Sequence, residues 1–120
     1  NKFCYNASIG EPIAVYKTAL NQFRPYLSLK DAFKVFKFTI DKDLFKNNIY
    51  NALSENCTVN QIIQKIKRYK KKIKIKFVYS EIMNQLSYHV DKKKLNKEGL
   101  NLKNKISEDI KDTIKLLKNI

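Results

Sequence analysis

The 120 residues include 25 Lys plus Arg against 11 Asp plus Glu, giving a formal net charge of +14 and a pI near 9.8. That length suits one domain with a modest core, and no apolar run approaches the roughly 20 residues of a membrane-spanning helix. The charge exceeds what solubility requires and points to a polyanionic partner, nucleic acid before a membrane surface.

Lysine supplies almost all of this charge, since only Arg24 and Arg68 are arginines. With the wealth of Asn, Ile, Phe and Tyr, the composition is that of translation from an AT-rich genome. The opening NKFCYNAS has neither the basic flank nor the apolar block of a signal peptide. Residues 1–10 read as an N-terminal extension.

The next stretch reads as a short helix. Pro12 occupies a first-turn position, where its missing N–H is harmless, with Glu11 near the positive helix end. Ile13, Val15, Tyr16, Ala19, Leu20 and Phe23 then recur at helical spacing. Pro25 closes this element by pushing Arg24 towards an extended conformation.

Residues 26–40 alternate with period two, in Leu27-Ser28-Leu29-Lys30 and again in Val35-Phe36-Lys37-Phe38-Thr39-Ile40. They read as a β-hairpin turning at Asp31-Ala32-Phe33-Lys34. A helix over Ser28 to Phe38 is the rival, because Ser28 followed by Asp31 resembles a capping box. Residues 41–57 are helical or loop-like, with Leu44, Phe45, Ile49, Tyr50 and Leu53 at helical spacing before Ser54-Glu55-Asn56-Cys57 breaks the pattern.

Basic helices fill residues 58–120. Thr58 caps a helix whose inward positions are Val59, Ile62, Ile63 and Ile66. A basic turn at Lys70 to Lys74 precedes a helix over 75–90, although Ile73, Ile75, Phe77 and Tyr79 also alternate as in a strand. Asp91 to Glu98 forms a lysine-rich loop ended by Gly99. A final helix from about Leu100 carries the stripe Leu102, Ile106, Ile110, Ile114 and Leu117.

Little in the chain suggests catalysis. His89 is the single histidine, and the sequence has no paired-carboxylate, phosphate-loop or triad signature. Asp41, Asp43, Glu108 and Asp109 lie near expected helix starts, where negative charge suits the dipole. Cys4 and Cys57 are far apart with no CxxC, so they read as reduced thiols, one in a loop and one partly buried. No metal and no cofactor is expected. The glycosylation patterns Asn6-Ala7-Ser8 and Asn56-Cys57-Thr58 are about what composition produces by chance.

The lysine clusters carry the functional expectation. Lys65, Lys67, Arg68, Lys70, Lys71 and Lys72 fall within eight positions, and Lys92, Lys93, Lys94 and Lys97 within six. Like charges at this density repel unless a polyanion neutralises them. Six phosphate contacts would give a log-log salt slope of order −4 to −5. Lysine used this way holds a nucleic-acid backbone without reading bases.

Gly10-Glu11-Pro12-Ile13, Val15-Tyr16, Ala19-Leu20, Arg24-Pro25 and Leu27-Ser28-Leu29-Lys30 together resemble the signature of the bacterial and organellar type of small ribosomal subunit protein seven. Gln22 stands in place of that family's asparagine, the hairpin-tip Arg-Arg and Gly-Gly are missing, and residues 41–57 are an insertion. The resemblance implies a mainly α fold, a helical bundle with one protruding β-hairpin. It also implies a non-enzymatic structural constituent of the small subunit that binds head rRNA and neighbouring ribosomal proteins, near exit-site tRNA and mRNA. The family's N-terminal helices are not in this sequence, so a separate chain supplies them or the form is truncated.

By position Lys30, Lys34 and Lys37 would lie on the hairpin, with Lys65 to Lys72, Lys92, Lys93 and Lys94 against rRNA. A mitochondrial ribosome joins this to the composition, with a plastid or an AT-rich bacterial cytoplasm as alternatives. Two other readings stand beside it. One is a secreted or surface helical interaction protein of an AT-rich parasite, held by a Cys4–Cys57 disulfide; the other is a free-standing nucleic-acid-binding helical domain using Thr58 to Lys72.

Overall fold

The computed structural model describes residues 2–45, 47–79 and 86–119. Helix α1, Lys2–Ile9, turns Cys4 and Ala7 inward and stops at Gly10, whose φ of +80° is the left-handed conformation that glycine adopts without strain. Glu11 N–H donates back to the Asn6 carbonyl at 2.9 Å and closes the helix end.

No helix follows. Ile13–Tyr16 forms strand β1, Lys17–Ala19 a single 3₁₀ turn and Phe23–Tyr26 strand β2. Along β1 the side chains alternate, Ile13 and Val15 buried and Ala14 and Tyr16 exposed, which is the two-residue period of a strand. The helical reading of 13–23 fails because β1 has a distant partner. Ile13 pairs with Ile75 and Tyr16 with Val78 in a parallel ladder. That partner, β4 (Ile75–Val78), is the strand alternative of a segment expected to be helical.

The expected hairpin is also absent. Leu29–Asp41 is a 13-residue helix, α2, with Ser28 at its N-cap position and Asp31 in its first turn, so the capping-box spacing was the informative signal. Instead of pairing with 35–40, β2 runs antiparallel to β3 (Glu55–Thr58), from Phe23 opposite Thr58 to Tyr26 opposite Glu55. In this two-stranded ladder Pro25 is tolerated, because both strands are edges. Between α2 and β3 the described residues are irregular.

Further along, the sequence reading is closer. Thr58 caps α3 (Val59–Lys67): its hydroxyl accepts from Gln61 N–H at 3.1 Å, and Gln61 Oε1 accepts from Thr58 N–H at 2.8 Å. Ile62, Ile63 and Ile66 point into the core, with Val59 packed beside them. The lysine-rich loop contains a short helix, α4 (Lys93–Lys97), that buries Leu95, and Gly99 follows it at φ +104°. The last helix, α5, spans Ile106–Leu116 and keeps the Ile106, Ile110, Ile114 stripe buried. Leu102 is buried as well, but from the extended segment ahead of that helix.

The core joins Cys4 and Ala7 of α1, Ile13 and Val15 of β1, Cys57 of β3 and the isoleucines of α3 and α5. The architecture is mixed α/β with a parallel strand pair. It is neither a helical bundle nor built on a protruding hairpin. Both cysteines are free and buried, Cys4 on a helix and not in a loop. Among the described residues no helix is long and apolar enough to cross a membrane.

Candidate functional site

The densest set of chemically capable side chains lies at β2, against residues 86–90. Phe23 N–H donates to Ser87 Oγ at 3.0 Å, and Tyr88 N–H donates to the Phe23 carbonyl at 3.4 Å. From β3 the Asn56 amide holds the same segment in both senses, donating to the Val90 carbonyl at 3.0 Å and accepting from Val90 N–H at 3.1 Å. An amide that donates and accepts at one residue imitates a strand partner, which fixes the segment without a regular ladder.

Arg24 is placed by this arrangement. Its Nη1 donates to the Phe23 carbonyl at 2.7 Å and to the Leu86 carbonyl at 2.8 Å, and its Nη2 donates to Gln22 Oε1 at 3.0 Å. The guanidinium also lies 5.2 Å from the centroid of the half-exposed Tyr88 ring. Next to it the Phe23 and His89 rings approach to 4.1 Å between centroids, tilted by 41°. The guanidinium is spent on protein acceptors that tie β2 to residues 86–90, and the half-exposed Tyr88 ring beside it has a face that suits a nucleobase.

A second feature is a cleft of about 310 Å³ between β3 and α3, lined by Glu55, Asn56, Cys57, Asn60, Gln61, Gln64, Lys65 and Arg68. Glu55 is its hub, accepting from Lys65 Nζ at 3.0 Å and from Ile106 N–H at the start of α5 at 3.1 Å. Burial works to raise the Glu55 pKa, but the Lys65 and Ile106 hydrogen bonds and the Lys65 charge outweigh it and hold the carboxyl below the ordinary glutamate range. Burial, then the Glu55 charge, pushes the Cys57 thiol up. A protonated thiol beside an ionised, already bonded carboxylate is not an activated nucleophile. Among the described residues no group of three or more His, Cys, Asp or Glu side chains could hold a metal ion.

The lysines expected at an RNA surface are mostly engaged within the molecule. On α2, Lys30 meets Asp112 at 2.8 Å, Lys34 meets Asp31 at 3.2 Å and Lys37 meets Asp41 at 2.7 Å. Lys65 bridges Glu55, and Lys70 reaches the Ser8 carbonyl at 3.4 Å. Lys92 donates to the carbonyls of Leu53, Ser54 and Leu102 at 3.2, 3.3 and 2.8 Å, so it ties three segments together. Lys93 pairs with Asp91, and Lys94 donates to Asn48 Oδ1 and the Ile49 carbonyl while lying over the Tyr50 ring. Lys67, Arg68, Lys71 and Lys72 are exposed around the end of α3.

Sequence reasoning passed over Asp31, Ser54 and Asn104, which form the polar heart of the fold, and Ser87 and Tyr88, which build the β2 patch. Only the Ser28 to Asp31 spacing gave a signal for the first group. Of the helix expected over 75–90, residues 80–85 lie outside the described residues.

Neither a protein-family model nor a curated protein sequence matches the chain. Solved structures do. A partial consensus L-threonine 3-dehydrogenase superposes with a TM-score of 0.82 at 17% identity, over 99% of this chain and 41% of that one. The UDP-N-acetylglucosamine 4-epimerase of Methanobrevibacter ruminantium, in complex with UDP-N-acetylmuramic acid, gives 0.81 at 19% identity, over 99% and 39%. The UDP-glucose 4-epimerase of Thermus thermophilus, in complex with NAD, gives 0.79 at 18% identity, over 98% and 39%.

The likeness is one of fold. It overturns the resemblance to ribosomal protein seven, and with it the rRNA, tRNA, mRNA and ribosomal-protein partners and the expectation of a non-enzymatic structural role. The motif behind that resemblance, residues 10–30, lies here on a strand, a turn, a second strand and the first residues of α2, so its spacing matched without matching a conformation. The chain spans about two fifths of the length of these neighbours.

Proposed function

We propose that this chain is the substrate-side portion of an enzyme of the epimerase and dehydrogenase fold, and that its β2 patch binds a nucleoside-diphosphate sugar. The observation that carries the reading is the superposition of nearly the whole chain on epimerases of nucleotide sugars. The patch chemistry agrees with it. The half-exposed Tyr88 ring supplies a face on which a nucleobase stacks, with the His89 ring next to it. A net charge of +14 draws a dianionic ligand towards this surface.

The nicotinamide cofactor is a different matter. A dinucleotide-binding turn needs three closely spaced glycines, and this sequence has only Gly10 and Gly99. The residues here do not fit that group, so no step of a reaction is routed through it.

Isothermal titration of the chain with UDP-glucose, UDP and NAD tests the proposal. Saturable binding of UDP-glucose and UDP is expected, with no binding of NAD. Tyr88→Ala removes the ring face and is expected to weaken UDP binding about tenfold, worth roughly 1.4 kcal/mol. Absence of UDP-glucose binding, or affinity unchanged in Tyr88→Ala, would overturn it.

A further inference from the structure

Residues 56–80 hold eight of the chain's 25 basic residues and none of its 11 acidic ones. The elements beside them add no carboxylate, since α1 over Lys2–Ile9 and β1 over Ile13–Tyr16 contain neither Asp nor Glu. The lysines of α2 each meet an aspartate and Lys65 is spent on Glu55, but among the described residues Lys67, Arg68, Lys71, Lys72, Lys74 and Lys76 pair with no carboxylate. More than half of the net charge of +14 is thus gathered in one segment.

The fold turns this segment into a surface. Ile73 and Ile75 pack against the core, so the alternation of a strand carries Lys74 and Lys76 to the opposite face. Strand β1 lies alongside in parallel register: Ile13 N–H donates to the Lys74 carbonyl at 2.9 Å, with Ala14 opposite Lys76 and Tyr16 opposite Val78. Ala14, Tyr16, Lys74 and Lys76 are all exposed, and together they make one pleated face. Lys71 and Lys72 extend it at the turn before β4. At the far end Lys17 Nζ lies 5.7 Å from the centroid of Tyr79, whose ring is largely exposed.

From this arrangement we infer that the outer face of the β1–β4 pair, with the Lys70 to Lys72 turn, rests on an anionic phospholipid surface. Clustered lysines without carboxylate partners complement a leaflet of acidic headgroups. Their stems lie along apolar surface while the ammonium groups reach the phosphates, and tyrosine rings sit at the boundary between hydrocarbon and water. A nucleic acid fits this face less well. Sheets that hold RNA present two or three stacking aromatics, whereas Tyr16 is alone here, and Arg68 is the single arginine of the segment that could fork a phosphate. The inference does not depend on the β2 patch: UDP-glucose binding can fail with this surface intact.

Sedimentation of the full chain with phosphatidylcholine vesicles, with and without about 30% phosphatidylserine, tests it. At about 0.1 M salt, binding to the anionic vesicles is expected to exceed binding to neutral ones at least a hundredfold, since each lysine near the leaflet is worth about fivefold. It should fall at least tenfold at about 1 M, where the Debye length shrinks from about 10 to about 3 Å. A variant carrying Lys71→Gln, Lys72→Gln, Lys74→Gln and Lys76→Gln should lose about a hundredfold or more. Gln at the exposed Lys97, Lys103, Lys111 and Lys115 removes the same charge from elsewhere and should cost less than about fivefold. Circular dichroism shows that both variants are folded, and the lipid and salt dependence of the parent stands without either. No binding to anionic vesicles, equal binding to neutral ones, or equal loss in the two variants overturns the inference. Displacement of the protein by a short single-stranded RNA, supplied at the phosphate concentration of the accessible phosphatidylserine, overturns it as well and makes the face a nucleic-acid surface.

Discussion

Replacing Asp31 by alanine should detach α2 from the rest of the molecule. The carboxylate has no solvent exposure and is surrounded by donors: Ser54 Oγ at 2.7 Å, Asn104 Nδ2 at 2.8 Å, Asn104 N–H at 3.2 Å and Lys34 Nζ at 3.2 Å. The three from Ser54 and Asn104 link α2 to the entry of β3 and to the segment before α5, while Lys34 lies on α2 itself, and the helix has little apolar burial to replace them. Removing one partner of a buried, hydrogen-bonded charge set costs about 3–5 kcal/mol, because the donors are left without an acceptor. The half-exposed Lys34 recovers water, which favours the lower end of that range. Against a total stability of roughly 5–15 kcal/mol the loss is large, and it corresponds to a fall in Tm on the order of 10–20 °C for a chain of this size. Urea denaturation followed by circular dichroism gives the magnitude, and hydrogen exchange shows its location as lost protection over 29–41. Asp31→Asn keeps one acceptor but turns an NH₂ towards existing donors, so it should lose less, about 1.5–3 kcal/mol. An Asp31→Ala variant within about 0.5 kcal/mol of the parent, the scatter of ordinary surface changes, would refute this account of how α2 is held.

Other perturbations separate further parts of the argument. Lys92→Met should cost about 1.5–3 kcal/mol in urea denaturation by abandoning three carbonyls, whereas Lys71→Met should stay within about 0.5 kcal/mol. Thr58→Ala removes the α3 capping box and should cost about 1 kcal/mol by the same assay, with Thr58→Ser close to neutral. Gly99→Ala places a side chain at φ +104° where the nearest atom is 4.0 Å away, so its expected loss of about 1–2 kcal/mol reports backbone strain alone. Glu55 has a folded pKa below its ordinary 4.5, so its contribution is present above that pH and is lost as pH falls through the folded value. The stability difference between the parent and Glu55→Gln should therefore shrink below about pH 4.5 in denaturation curves taken from pH 7 downward.

The parts of this fold legible in the sequence are those that local chemistry decides. Thr58 and Gln61 announce the start of α3, and the Ile106, Ile110, Ile114 stripe announces α5, because a cap and a buried helix face are both written within about ten residues. Strand β1 is four residues long and its partner lies 62 positions away, so no periodicity within 13–23 could tell a strand from a turn of helix. On α2 the usual inference runs backwards. Its core contact is an aspartate and its apolar stripe faces outward, so a reader who assigns burial to apolar residues finds no helix that works and prefers the alternating hairpin. The lysine clusters misled for a related reason: charge density along the chain does not show which ammonium groups already have carbonyl or carboxylate partners. Lys92, central to one supposed RNA cluster, is instead a bracket between Leu53, Ser54 and Leu102. For Arg24 the sequence shows only an arginine pushed to an extended conformation by the proline after it. Only the approach of residues 86–90, more than sixty positions on, makes it the fixed cation at the centre of a patch.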